Sequence, residues 1–227
     1  LQEHHICFRR YADLTPRQQK QMDEYFKREV FPLMTPQGID PAHPFPFISN
    51  LSINLLVETG EPASKRVFLN RLKVPNSVGI PRFIQVGQDN RYITFEDLVA
   101  NNLEDLFPGL EIHRSELFRV TRNAITERAE EQANDLLAVI ESTLRDRKFA
   151  DIVRLEVAAD MLPQHRGMLA FELGIHEHHD VFEILGLLAK RDLMEISKID
   201  RPSLHYPIHQ PCDHAQLVMQ IRIALID

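Results

Sequence analysis

Apolar residues recur at helical spacing near the start of the chain. Met22, Tyr25, Phe26, Val30 and Leu33 share one face of a helix that the pattern predicts from Pro16 onward. Thr15 supplies an N-cap, Pro16 fits the first helical position and Gln18 completes a capping box. Pro32 and Pro36 close the helix, because proline cannot continue the hydrogen-bond ladder. The period then changes to two. In "LSINLLVET" Leu51, Ile53, Leu55 and Val57 alternate with Ser52 and Asn54, which predicts a half-buried strand. "ETGEP" reads as a turn and "KRVFLNRLKV" as the hairpin partner, with "RFIQV" and "RYITF" as two further strands. Four strands in succession predict an antiparallel sheet.

Helical spacing returns after Thr94, which caps a helix whose Val99, Leu103, Leu106 and Phe107 face inward before "PGL" ends it. "SELFRVTRN" is a strand. Ala129, Ala133, Leu136, Leu137, Ile140 and Leu144 form one stripe of an amphipathic helix over 127–147. "DIVRLEVAA" alternates as a strand, a short helix follows over 163–173, and "GIHEHHD" is a loop. "EILGLLAKRDLMEISKI" predicts a last helix, and "DRPSLHYPIHQP" a proline-rich linker. Helices and strands do not follow a strict βαβ alternation. The class expected is α+β: a mostly antiparallel sheet with packed helices, an N-terminal helix and a proline-rich C-terminal linker.

Composition narrows the functional classes. With 44% hydrophobic and 26% charged residues the chain can bury a core, and no apolar run is long enough for a membrane span. The start, "LQEHHICFRR", has no basic-then-apolar signal and no Met, so an excised segment of a longer protein is expected. Two cysteines far apart, Cys7 and Cys212, suit a reduced cytoplasmic protein. A net charge of −7 argues against a surface dedicated to nucleic acid or anionic membrane, while leaving room for one local basic groove.

Signatures of chemistry are sparse. The eight glycines form neither GxxxxGK[ST] nor GxGxxG, and there is no GxSxG, HExxH or CxxC. "HEHHD" offers His176, His178, His179 and Asp180 as possible metal ligands, but adjacent histidines in a polar loop are ordinarily solvated, and no metal site is assigned. Arg82 in "IPRF", and Arg119 and Arg122 in "FRVTRNA", are the anion-binding candidates. On a strand Arg119 and Arg122 would point to opposite faces, so a joint phosphate clamp needs a turn between them. Lys65 and Arg66 read as solubilising, and Glu127, Glu130 and Glu131 as complements to a helix dipole. No catalytic residue is assigned.

The segment "LTPQGIDPAHPFPFISNLSINLLVE" resembles the head-domain entry of the large, histidine-phosphorylated polyphosphate kinases. "KVPNSVGIPRFI", "FEDLVANNLEDLFPG", "LFRVTRNA", "VRLEV", "RDLMEI" and "DRPSLHYP" follow in the order expected of that family. The resemblance implies residues 1–38 as the end of an N-terminal helical region, 39–200 as the head domain and 201–227 as a linker toward catalytic domains. It implies phosphate transfer from ATP to polyphosphate, with magnesium, by the full-length oligomer, a cytoplasmic protein or, as the alternative, a membrane-associated one. The remaining domains and other subunits would be its partners. The phosphorylated histidine would lie downstream of this chain, so His43 is expected to be a hydrogen-bonding connector residue, and the segment alone is expected to be inactive and without cofactor. The first expectation is thus a non-catalytic head that shapes the tunnel and aids oligomerisation. The alternatives are a polyphosphate- or nucleotide-contacting module, or a stand-alone α+β interaction module.

Overall fold

A computed structural model describes residues 2–4, 6–40, 42–62, 66–75, 80–87, 90–123, 150–199 and 201–207. The helix expected over 127–147, Cys212 and the end of the chain lie outside the described residues. Two compact units are distinguished, Leu1–Glu195 and Ile196–Asp227. In the second, the described residues hold the end of the 3-10 stretch Lys190–Lys198, a 3-10 turn over Pro202–Leu204, and a contact from His205 Nε2 to the Ile199 carbonyl at 3.0 Å.

The first unit is α+β and carries two sheets. Nine strands are described: β1 (Cys7–Phe8), β2 (Gln37–Ile39), β3 (Ile53–Gly60), β4 (Val67–Lys73), β5 (Phe83–Gln85), β6 (Arg91–Thr94), β7 (Glu111–Arg122), β8 (Ile152–Ala158) and β9 (Val181–Ile184). The larger sheet has the order β2-β4-β3-β7-β8-β9 and the smaller β1-β6-β5. The β1–β6 and β8–β9 pairs are parallel, and the other pairs are antiparallel. The four consecutive strands expected to make one sheet are therefore divided: β3 and β4 form a hairpin, whereas β5 and β6 turn away to pair with β1 near the N-terminus.

Helix α1 (Pro16–Tyr25) begins as the sequence predicts. The Thr15 hydroxyl accepts the Gln18 N–H, and the Gln18 side-chain oxygen accepts the Thr15 N–H at 3.0 Å. Its hydrogen bonding then widens into a π-helical turn over Phe26–Val30 and tightens into a 3-10 turn over Phe31–Leu33. Leu33 consequently leaves the apolar face and is 50% exposed. Helices α2 (Phe95–Ala100) and α3 (Leu103–Leu106) follow β6, the first capped by the Thr94 hydroxyl, which accepts the Asp97 N–H. Helix α4 (Pro163–Glu172) lies between β8 and β9.

Two cores sandwich the larger sheet. On one face Met22, Phe26 and Val30 meet Leu55, Val57 and Leu72, joined by Ile84, Ile93, Phe95, Leu98 and Phe107. On the other, Leu56, Phe118, Val120, Leu155 and Val157 are covered by Ile48 and by Leu169 of α4. Strand β3 is therefore buried on both faces, not half-buried as its alternation suggests. Ser52 and Asn54, the polar positions of that alternation, are 4% and 0% exposed. They stay inside because they are hydrogen-bonded there: the Asn54 amide donates to the Ser52 carbonyl and hydroxyl oxygens at 2.9 and 3.1 Å.

The apolar stretch expected as a last helix departs from that reading. Val181–Ile184 extends β8 in parallel pairing, and Lys190–Lys198 forms 3-10 turns. Gly186 at φ 82° and Ala189 at φ 49° adopt left-handed backbone between the two, which no right-handed helix can absorb.

Candidate functional site

The proline-rich connector into β3 is pinned residue by residue. Asp40 accepts the Ala42 N–H at 2.9 Å and lies 3.3 Å from His43 Nδ1, so the exposed His43 is a hydrogen-bonded connector residue. Phe45 packs against the second core, and Ile48, 1% exposed, is inside it. The connector then turns sharply. Leu51 sits at φ 60°, a conformation that costs a residue with a Cβ roughly 1–2 kcal/mol. Its N–H donates to the Val120 carbonyl at 2.9 Å, which anchors the turn to β7.

Arg119 and Arg122 both reach this turn. Arg119 Nε donates to the Leu51 carbonyl at 3.3 Å, and its Nη1 pairs with Glu156 at 2.8 Å. Arg122 Nε donates to the Ile48 carbonyl at 3.0 Å and Nη1 to the Ala150 carbonyl at 2.6 Å, while its backbone N–H donates to the Asn50 side chain at 2.8 Å. The guanidinium also stacks over Phe47, 4.6 Å from the ring centroid. The register shift between Thr121 and Arg122, opposite Arg154 and Ile152, leaves Val153 of β8 as the extra residue of a β-bulge, and no turn separates the two arginines on β7. Burial lowers the pKa of the Arg122 side chain, offset in part by the charge of Asp151. These two arginines converge on backbone carbonyls of the connector.

Arg82 stands apart from them, before β5. It is 7% exposed and fully engaged: Nη2 meets Glu96 at 2.5 Å, and Nη1 meets Asp192 and the Ala189 carbonyl, each at 3.0 Å. Its backbone N–H donates to Glu195 at 3.0 Å. The three expected anion binders are thus placed in two locations, and each is hydrogen-bonded to protein oxygens.

Two cations not singled out from the sequence complete the surroundings of the turn. Arg71 and Lys73 alternate on β4 and so share one face, opposite Leu56 and Asn54 of β3. Lys73 Nζ donates to the Ser49 hydroxyl at 3.1 Å. Arg71 is 5% exposed, with Nε on the Asn54 side-chain oxygen at 2.8 Å and Nη1 on the Gln37 oxygen at 2.5 Å. Its Nη2 is buried without a hydrogen-bond partner, and burial lowers the pKa of the side chain. The signal was present in "FLNRLKV", where two cations recur with period two on a strand. The hydrophobic alternation around them masked it.

Other concave or histidine-rich features offer less. A groove of about 830 Å³ is lined by residues of β2, β4, the connector and α4, among them Ile39, Phe45, Phe68 and Met168. Its charged residues include Asp40, Glu61 and Glu172 beside Arg66, a balance unsuited to a polyanion. In "HEHHD", Glu177–Asp180 form one helical turn in which Asp180 accepts the His176 N–H at 2.9 Å. Among the described residues no group of His, Cys, Asp and Glu side chains is arranged to hold a metal ion. No helix among them is long and apolar enough to cross a membrane.

Comparison with known proteins places this arrangement. A family model described as the polyphosphate kinase middle domain matches residues 17–196. The chain belongs to the polyphosphate kinase family. It is 40% identical over 217 residues to a polyphosphate kinase of Thermosynechococcus vestitus, covering 93% of this chain and 30% of that protein. A polyphosphate kinase of Aphanizomenon baltica is 39% identical over 222 residues, covering 92% and 57%. The chain therefore spans only part of the polyphosphate kinases it matches. The crystal structure of polyphosphate kinase from Porphyromonas gingivalis aligns with a TM-score of 0.73 at 21% identity, over 96% of this chain and 31% of that one, a likeness of fold.

Proposed function

We propose that this chain is the non-catalytic head of an ATP:polyphosphate phosphotransferase, a scaffold that shapes the tunnel of the full-length enzyme and helps its subunits associate in the cytoplasm. The observation that carries the reading is the middle-domain match over residues 17–196, which spans both cores of the first unit. ATP, magnesium and the phosphorylated histidine belong to other regions of that enzyme. Among the described residues the donor sets do not fit magnesium: the buried carboxylates Glu96 and Glu116 are occupied, the first by Arg82 and the second by His165 at 2.5 Å and the Leu162 N–H at 2.8 Å. Phosphoryl transfer needs metal and cationic groups converging on a phosphate, and the ion pairs of Arg82 and Arg119 are directed inward.

A chimera tests this. When the chain replaces the corresponding region of the Thermosynechococcus relative, ATP-dependent polyphosphate synthesis should persist, whereas the chain alone with ATP, magnesium and polyphosphate should form none. Synthesis by the chain alone, or a folded and soluble chimera without activity, would overturn the scaffold reading.

A further inference from the structure

We infer that the groove of about 830 Å³ lined by β2, β4, the connector and α4 takes an extended peptide carrying a lysine or arginine among apolar side chains. The assignment rests on this chain's own residues and does not require the scaffold reading. The size is that of a ligand cleft, for which about 300–1,000 Å³ is usual. Its apolar floor is already fixed, because Ile39, Phe45, Leu69 and Met168 also pack against the second core. Above that floor Val67 and Phe68 are 52% and 39% exposed, so apolar surface remains for a ligand to cover.

Charge selects the kind of ligand. The groove is lined by three exposed carboxylates, Asp40, Glu61 and Glu172, against the cations Arg66 and His43. The Ala42 N–H and His43 hold the Asp40 pKa below its ordinary value, so that carboxylate is ionised at neutral pH. Negative charge stays in excess even if His43 is protonated, and a cationic side chain flanked by apolar ones complements it.

Backbone geometry selects a peptide over a hydrocarbon chain. The Val74 N–H donates to the Ile53 carbonyl at 3.0 Å, which makes Leu55–Leu72, Val57–Asn70 and Thr59–Phe68 the hydrogen-bonded pairs of the hairpin. Val67, Leu69 and Arg71 consequently turn their N–H and C=O groups away from β3. Strand β2 pairs with Leu69 and Arg71 through Ile39 and Gln37, and no described strand lies opposite Val67 on that side. Val67, a residue of the groove lining, thus offers one donor and one acceptor there. A peptide unit carries the matching acceptor and donor, and a hydrocarbon chain carries neither.

Panning a phage-displayed library of random hexapeptides on the folded 227-residue chain tests the site, with selected peptides resynthesised for fluorescence anisotropy. Enriched sequences should place lysine or arginine beside apolar residues and bind saturably, more weakly as salt rises. Glu172→Lys should weaken them about tenfold. Val67→Pro should weaken them about fivefold, because it deletes the outward N–H. Proline is tolerated at this first residue of β4, where no bond to β3 is lost, and circular dichroism checks that both variants fold. No enrichment, enrichment without a cationic residue, or affinity unchanged by either variant overturns the assignment. So does saturable binding of dodecanoate without peptide binding, which would make the groove a lipid site. Self-association of the chain that both variants abolish would give the groove to a second copy and overturn it equally.

Discussion

Removing the Arg82 guanidinium should destabilise the fold far more than the loss of a surface ion pair would. In Arg82→Met, Glu96 is left as a carboxylate that is 3% exposed in the folded chain and has lost three contacts of 2.5, 3.2 and 3.3 Å. Stranding one member of a buried pair costs about 3–5 kcal/mol. Asp192, whose side chain is 28% exposed, adds at most about 1 kcal/mol, because water replaces its partner. A loss of roughly 4 kcal/mol corresponds to a fall in melting temperature of about 10 °C for a chain of this size. The second variant isolates the cause. Arg82→Met/Glu96→Leu removes both charges and should recover more than half of the loss, giving a large coupling energy in a double-mutant cycle by urea denaturation. A cost below about 1 kcal/mol for the single variant, or a double variant no more stable than the single, would refute the reasoning.

Phe26 is 0% exposed where α1 meets the larger sheet, so Phe26→Ala should cost about 3–5 kcal/mol in urea unfolding, and a loss under about 1 kcal/mol would contradict that packing. Burial raises the Asp97 pKa above the usual carboxylate range, against the lowering effect of hydrogen bonds from the Tyr11 N–H and Asn101. The folded state thus holds the proton more tightly, and that contribution to stability is present below the unfolded pKa and lost as pH rises through the folded one. Asp97→Asn should therefore gain on the wild type as pH rises through the acid range, and urea midpoints that stay parallel would count against it. Arg122→Met removes the donors to the Ile48 and Ala150 carbonyls, so limited proteolysis within residues 42–50 should accelerate while the global melting temperature falls little; unchanged cleavage would show that the connector holds without it.

Local signals were legible where one residue settles the outcome. The Thr15–Gln18 box, the Thr94 cap and the span of α4 follow from side chains adjacent in sequence. What periodicity could not show was the partner of each surface. The alternation in β3 looks like one wet face, yet both faces meet a core because Asn54 and Ser52 find hydrogen bonds inside. The separation of β5 and β6 from the hairpin depends on Cys7 and Phe8 pairing with Arg91 and Tyr92, contacts remote in sequence. Arg119 and Arg122 were recognisable as unusual, but their targets are carbonyls of a connector about seventy residues upstream. Arg71 drew no notice, because a buried cation is identified by its missing partner and sequence does not display partners.

The left-handed Leu51 has a consequence for how the chain can change in length. Its bond to Val120 fixes the residue at which β3 begins, and β3 alternates Leu55 and Val57 into one core with Asn54 and Leu56 into the other. Inserting or deleting a single residue between Asn50 and Ile53 would exchange the two sets, placing the Asn54 amide among Phe26 and Phe95. Added residues can be absorbed instead near the exposed Asp40 and His43, upstream of the turn that sets the phase of the strand.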